Sequence, residues 1–228
     1  MAAAVWLGVS APTLVSAPLI GADTKASALA GLVVAAGAGL LPDLDHPQAT
    51  VSRCLPPLSN AAARGISKIS GGHRKGTHCL ITTGVLTLLV FLVNPANWMS
   101  DMGGGFNVGA GLFVFFLGAI ASQALHLQLG KLGSWPSAIV LATAAGFLVP
   151  AGGFWLPAAF SIGYTVHLLG DFLTVQGIPL LYPFTKKTWR LALLNTAGSK
   201  RENLLVFLLT GYCVIVMILL VASSIPWV

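Results

Sequence analysis

Apolar residues in this chain fall in long unbroken blocks rather than in alternation with polar ones. The blocks cover roughly residues 2–20, 27–41, 77–93, 106–130, 135–149, 154–174 and 204–225, with two polar stretches, 43–76 and 175–202, between them. About 20 apolar residues in a helix cross the roughly 30 Å of bilayer hydrocarbon. In lipid every backbone N–H and C=O must be satisfied within the chain, so continuous runs predict helices, whereas a barrel would show a two-residue alternation. The pattern therefore predicts an all-α fold, a polytopic transmembrane bundle of six to seven spans forming one integral membrane domain over 1–228. The first block contains Pro12 and Pro18 and lacks a basic opening segment, so it reads as an irregular span and not as a signal peptide. Pro42 closes the second block, Thr77 is available to cap the third, and "NPANWMSDMGGG" reads as a turn-rich loop.

Composition sharpens this picture. Hydrophobic residues make up 56% of the chain and charged residues only 8%, with a mean hydropathy of +0.86, against about 25% charged in an ordinary soluble domain. The net charge of +6 could suggest nucleic acid, but in a membrane protein basic residues report orientation and contact with anionic lipid, so lipid is the expected partner and nucleic acid is not. Eleven of the 12 basic residues lie in stretch 43–76, in stretch 175–202 or at Lys131, and only Lys25 stands apart. Counting crossings puts those three loops on one side, the cytoplasmic one. Seven spans place the amino terminus inside and the carboxyl terminus outside. Cys54, Cys79 and Cys213 form no CxxC pattern and read as apolar fillers.

The scarce titratable residues gather at one level of this topology. Asp43, Asp45 and His46 end the second span, His73 and His78 in "GGHRKGTH" stand at the start of the third, and His167 and Asp171 in "HLLGD" lie near the end of the sixth. His167 and Asp171 are four apart, so they share a helix face about 6 Å apart along the axis. Gly170 between them leaves room for a neighbouring helix. Asp43 and Asp45 would point the same way in the extended backbone that Pro42 and Pro47 permit. Each cluster alone has a plain reading as a helix-gluing polar pair, a solvated helix end or an orientation signal; their common level argues against all three. Seven oxygen and imidazole donors without a thiolate suit one or two divalent ions, Zn²⁺ first and Mn²⁺ or Fe²⁺ next. Such a centre would supply hydroxide near neutral pH. Arg53, Arg74 and Lys75, beside the ligands, could hold and neutralise a phosphoryl oxygen. His126 is expected to face the bundle interior with Gln123 in a structural role, and Glu202 to orient the start of the last span. Asp23 and Asp101 fall on the opposite side and are excluded from the site.

"LLPDLDHPQATVSR", "GGHRKGTH" and "HLLGDFLTVQGIPLLYPF" resemble, in order and spacing, the signature blocks of the LexA-regulated, membrane-bound, metal-dependent hydrolase family, also called YdjM-like. The likeness spans roughly residues 30 to 185. It implies a helical protein of the bacterial inner membrane with a hydrolase assignment and a metal centre drawn from Asp43, Asp45, His46, His73, His78, His167 and Asp171. Family members typically carry a histidine a few residues before a glycine in the first helix. Here no histidine precedes His46, so the resemblance implies either a start upstream of Met1 or a site short of one ligand.

Two function classes follow. The first is a membrane-embedded metal-dependent hydrolase acting at the cytoplasmic face on a phosphoester of a lipid or amphiphile, with Asp45, His73 and Arg74 as its catalytic group. The alternative is a metal-ion transporter or sensor using the same His/Asp cluster. A conduit would need polar residues at several depths, and spans three, five and seven are almost bare of them. A purely structural scaffold would leave the melting temperature unmoved by a chelator.

Overall fold

The computed structural model describes residues 1–10, 24–99, 104–126, 133–152, 154–194 and 199–222. Thr24 opens the first long helix, α2 (Lys25–Ala38): its hydroxyl accepts from the Ser27 N–H while the Ser27 hydroxyl accepts from the Thr24 N–H, both at 3.1 Å. This reciprocal cap satisfies two amides that a helix start otherwise leaves unpaired. The short α1 (Ala2–Ser10) lies beside α2, with Trp6 fully buried and its indole N–H donating to the Ala28 carbonyl at 2.8 Å. After α2 come tight 3-10 turns at Pro42–Asp45 and Thr50–Arg53, then α3 (Leu58–Ser70), which Gly71 ends with a φ of 80°. α4 (Leu80–Val93) runs into the short α5 (Pro95–Trp98), and α6 (Val108–Ala124), α7 (Trp135–Leu148), α8 (Trp155–Phe172) and α9 (Lys200–Ala222) complete the chain. Asn107 ties three helix ends together. Its oxygen accepts from Ala110 N–H, and its amide donates to the carbonyls of Ala96 and Val149.

Packing centres on α2, which lies between α6 and α8, while α4 and α1 also lean on α8 and α7 pairs with α6. Small residues make this possible. A Cβ on Gly163 would stand 2.4 Å from the Ala35 carbonyl oxygen, and one on Gly37 would stand 2.1 Å from that of Leu117, so the backbones of α2, α6 and α8 touch directly. The expected role of Gly170 as the approach point is corrected, because a Cβ there would meet nothing within 4 Å. The two glycines therefore predict opposite outcomes. Gly163→Ala should lower the thermal unfolding midpoint, the Ala35 carbonyl being unable to yield, with a cost of roughly 1–3 kcal/mol. Gly170→Ala should raise it slightly, by about 0.5–1 kcal/mol of helix propensity. Circular-dichroism melts in detergent would read both.

Helix is the regular structure of the described residues, joined by turns and irregular segments, with one isolated antiparallel bridge between Ile178 and Trp189. Two helical stretches are long and apolar enough to cross a membrane, Lys25–Asp45 (21 residues) and Leu80–Trp98 (19 residues), with shorter apolar helices at Val108–Ala124, Trp135–Leu148 and Asn203–Val216. Leu92 on α4 and Phe207 on α9 are 72% and 74% exposed, an apolar surface that water would not tolerate and lipid would.

Three expectations change. The polar stretch 43–76 holds an amphipathic helix, α3, where composition suggested only loop. Part of "NPANWMSDMGGG" is helical, at Pro95–Trp98. Thr77 does not cap α4; Cys79 precedes that helix and makes no side-chain cap. Asp23, Asp101, Lys131 and the second half of the first apolar block lie outside the described residues.

Candidate metal centre

Three segments bring their polar side chains to one point. The Pro42–Asp45 turn follows α2, the Gly76–His78 turn precedes α4, and the last two turns of α8 carry His167 and Asp171. Because α4 packs on α8 and α2 is pressed against α8 at Gly163, the two turns and the helix end meet at the same level.

At the centre the Nε2 atoms of His78 and His167 face each other at 3.3 Å. The outer nitrogens decide what those atoms are. His167 Nδ1 lies 2.7 Å from the Gly39 carbonyl, which can only accept, so Nδ1 carries the proton and Nε2 presents a lone pair. On His78 the same logic runs through Thr77. The Thr77 hydroxyl donates to Asp45 Oδ2 and therefore accepts from His78 Nδ1 at 2.9 Å, so Nε2 is the atom of His78 that can carry a further proton or bind an ion. The two Nε2 atoms attract one another at that separation only through a proton or a cation shared between them.

Carboxylates flank the pair. Asp43 Oδ1 is 3.7 Å from each Nε2, and Asp171 Oδ2 is 3.5 Å from that of His78 and 3.7 Å from that of His167. Asp171 Oδ2 is buried without a hydrogen-bond partner, while its Oδ1 takes the Arg74 guanidinium at 3.1 Å. Burial by itself would lower the His78 pKa, but Asp43 and Asp45 on its two sides push it up to about 9. Surroundings that favour a proton so strongly favour a divalent cation for the same electrostatic reason.

The donor set fits such an ion. The ligand atoms of Asp43, His78 and His167 lie within 4.8 Å of one another, and tetrahedral zinc with bonds of about 2.0–2.1 Å separates its ligands by roughly 3.3–3.4 Å. The observed triangle of 3.3, 3.7 and 3.7 Å is a few tenths wider. Each imidazole is oriented by a partner on its far nitrogen, as metal-bound histidines usually are.

Asp45 faces the other way. The expectation that Asp43 and Asp45 point together in extended backbone is corrected, because residues 42–45 form a 3-10 turn, in which i and i+2 diverge by about 120°. Asp45 is fully buried: Oδ1 holds His73 Nδ1 at 2.7 Å, and Oδ2 accepts from the Arg74 N–H and the Thr77 hydroxyl and lies 3.5 Å from His78 Nδ1. His73 is half-exposed at the rim, its ring edge-on to both His46 and His78, with centroids 4.8 and 5.6 Å away. His46 makes no contact with the central pair, and its Nδ1 is buried without a partner. Arg74 sits at a φ of 57° and keeps Nε and Nη1 buried and unpartnered. Arg53 is exposed and reaches only the Gln48 carbonyl, and Lys75 is exposed.

Tyr164 and Gly39 were not singled out by the sequence, and Thr77 was singled out only as a helix cap and not for the site. Tyr164 donates to the Thr77 carbonyl at 2.6 Å and so ties α8 to the turn that carries His78. Only the adjacency of Thr77 to His78 could have hinted at this, since a backbone carbonyl such as that of Gly39 leaves no trace in residue type. His126 is exposed beyond the end of α6, contrary to the interior position expected; Gln123 does point inward, accepting from the Ser134 hydroxyl at 3.0 Å. Glu202 lies in the first turn of α9, and its side chain is outside the described residues.

An all-α chain with lipid-compatible flanks and a buried carboxylate–imidazole cluster defines a membrane protein with a candidate metal centre. The sequence profile of the YdjM inner membrane protein family matches residues 1–226. The chain belongs to that family. The inner membrane protein YdjM of Escherichia coli (strain K12) and that of Shigella flexneri are each 27% identical to it over 165 residues, 72% of this chain and 54% of the relative. The chain thus spans about half the length of the curated relatives it matches. No solved structure matches it.

Proposed function

We propose that this chain is an inner-membrane, metal-dependent hydrolase acting at the cytoplasmic face on a phosphoester of a membrane lipid or amphiphile. One observation carries the reading: the Nε2 atoms of His78 and His167 lie 3.3 Å apart, flanked by Asp43 and by a buried Asp171 oxygen that has no hydrogen-bond partner. Asp43, His78, His167 and Asp171 would hold the ion, zinc by preference, with manganese or iron also compatible. When bound, such an ion lowers the pKa of a water molecule to near neutrality and polarises a phosphoryl oxygen. Asp45 and Thr77 hold His78 in the tautomer that presents Nε2. His73, braced by Asp45 and half-exposed, stands where it can exchange a proton with a bound ester. Arg74 spends one N–H on Asp171 and has Nε and Nη1 left to take a phosphoryl oxygen. Lys75 and Arg53 add positive potential at the rim.

Membership of the YdjM inner membrane protein family supports the inner membrane, and the basic loops 43–76 and 175–202 support a cytoplasmic site. Six to seven crossings are part of the same proposal.

Purified chain should carry about one tightly bound ion per molecule and release phosphate or a headgroup from a panel of phospholipids. Arg74→Ala should keep the ion and lose that release by on the order of 100-fold. Metal content well below one ion per chain sinks the reading. Ion flux in proteoliposomes that needs Asp171, with no hydrolysis, would establish the transporter alternative in its place.

A further inference from the structure

The strap that follows α8 is pinned at the level of the candidate centre. The Leu180 carbonyl accepts from Leu80 N–H at 3.0 Å at the start of α4, and Leu191 N–H donates to the Phe172 carbonyl at 2.8 Å at the end of α8. Beside those anchors Ile178 and Trp189 pair as a bridge, and the Tyr182 hydroxyl lies 3.3 Å from where a Cβ on Gly71 would stand, closing the strap onto the end of α3. The bridge directs the intervening residues outward. Phe184 is 85% exposed, and Leu181 and Trp189 are exposed as well; across the turn, Ile69 on the last turn of α3 is also exposed. Among them stand Lys186, Lys187 and Arg190, with no acidic residue anywhere from 175 to 194. Lys187 Nζ rides over the Trp189 ring, 4.8 Å from its centroid.

Neither bulk water nor the hydrocarbon core suits this surface. A water-facing loop does not spend a phenylalanine, a leucine and a tryptophan on solvent, and a lipid-buried one does not carry three cations with no acidic residue in the same stretch. The boundary between them suits both, with apolar bodies in the acyl region and cationic tips among phosphates. Charge sign selects the lipid, since phosphatidylglycerol-type headgroups offer the anions that the strap lacks. We infer that strap 178–191 is a membrane-surface element that inserts Phe184 and Leu181 into the interface and binds anionic phospholipid headgroups through Lys186 and Lys187. The strap then lies in the membrane plane next to Asp171 and His78, so the rim of the centre faces lipid phosphates and not open cytoplasm. This holds whether or not the centre binds a metal.

The test uses the full chain with Cys213→Ser and Phe184→Cys, nitroxide-labelled at 184; Cys54 and Cys79 are buried. It is reconstituted in vesicles of phosphatidylcholine alone or mixed with phosphatidylglycerol. In mixed vesicles the label should be relaxed by oxygen in preference to a water-soluble nickel chelate, and should retreat to water in phosphatidylcholine. Adding Lys186→Gln and Lys187→Gln should lower the ratio of inserted to water-exposed label in mixed vesicles by about 25-fold, at roughly fivefold per cation. Equal access to the chelate in both vesicle types would overturn the inference. So would a label shielded equally in both vesicle types and in detergent, which would mean that protein covers the strap, or one inserted equally with and without anionic lipid.

Discussion

Replacing His78 with alanine is expected to lower the affinity for a divalent ion by on the order of 100-fold or more and to abolish hydrolysis, while the helices stay assembled. His78 is the one residue that touches every part of the cluster: its Nε2 faces His167, Asp43 and Asp171, and its Nδ1 faces Thr77 and Asp45. The same replacement should remove a pH signature. With its pKa near 9, His78 carries a proton at neutral pH when no ion is bound, because Asp43 and Asp45 outweigh the penalty of burial. An ion must displace that proton, so uptake releases it, and the apparent affinity rises with pH by about tenfold per unit until the pKa is passed. Calorimetry in buffers of different ionisation enthalpy measures the released proton directly. A wild-type affinity that does not change between pH 6 and pH 8 would show that His78 is not displaced from its proton and does not hold the ion.

Asp45→Ala and Asp43→Ala should separate two roles that the sequence could not distinguish. Asp45 is wholly enclosed and accepts from His73, the Arg74 backbone and Thr77. Its removal leaves the buried Thr77 hydroxyl, the Arg74 N–H and the half-exposed His73 without their acceptor and frees the rotamer of His78. The expected result is a loss of about 3–5 kcal/mol of stability, as for breaking a buried charged network, together with a 10- to 100-fold loss of metal affinity through misorientation. Asp43 is one-third exposed and faces the two Nε2 atoms, so its removal should cost the metal-free protein less than removal of Asp45, the loss being its pull on the His78 proton. Its larger effect should fall on metal affinity. Melting curves with and without a chelator compare the two variants. Equal destabilisation of both metal-free proteins would mean that the two carboxylates do the same structural job.

Much of this was legible because lipid imposes strict rules. Unbroken apolar blocks could only be helices, and the α2, α4, α6, α7 and α8 ranges fall within a few residues of the expected blocks. The scarcity of charge made His167, Asp171 and the "PDLDH" turn conspicuous, and these segments do meet. Three things were hidden. Helix α3 escaped because its amphipathic pattern sits in a stretch that reads as polar on average. Gly163, and not Gly170, proved to be the crossing point, since which glycine touches a neighbour depends on where two axes meet. His126 turned outward because its backbone adopts a φ of 55° after α6.

By itself, then, the sequence determined that the chain is helical, that it belongs with membrane proteins and which few residues could do chemistry, because hydrophobic run length and the cost of burying charge are local properties of the chain. Tertiary structure alone decided which of those residues face one another. A 3-10 turn at 42–45 sent Asp43 toward the two imidazoles and Asp45 behind them, and the Gly39 carbonyl fixed the tautomer of His167. Those outcomes depend on side-chain direction and on backbone groups brought in from residues more than a hundred positions away, where no local pattern reaches.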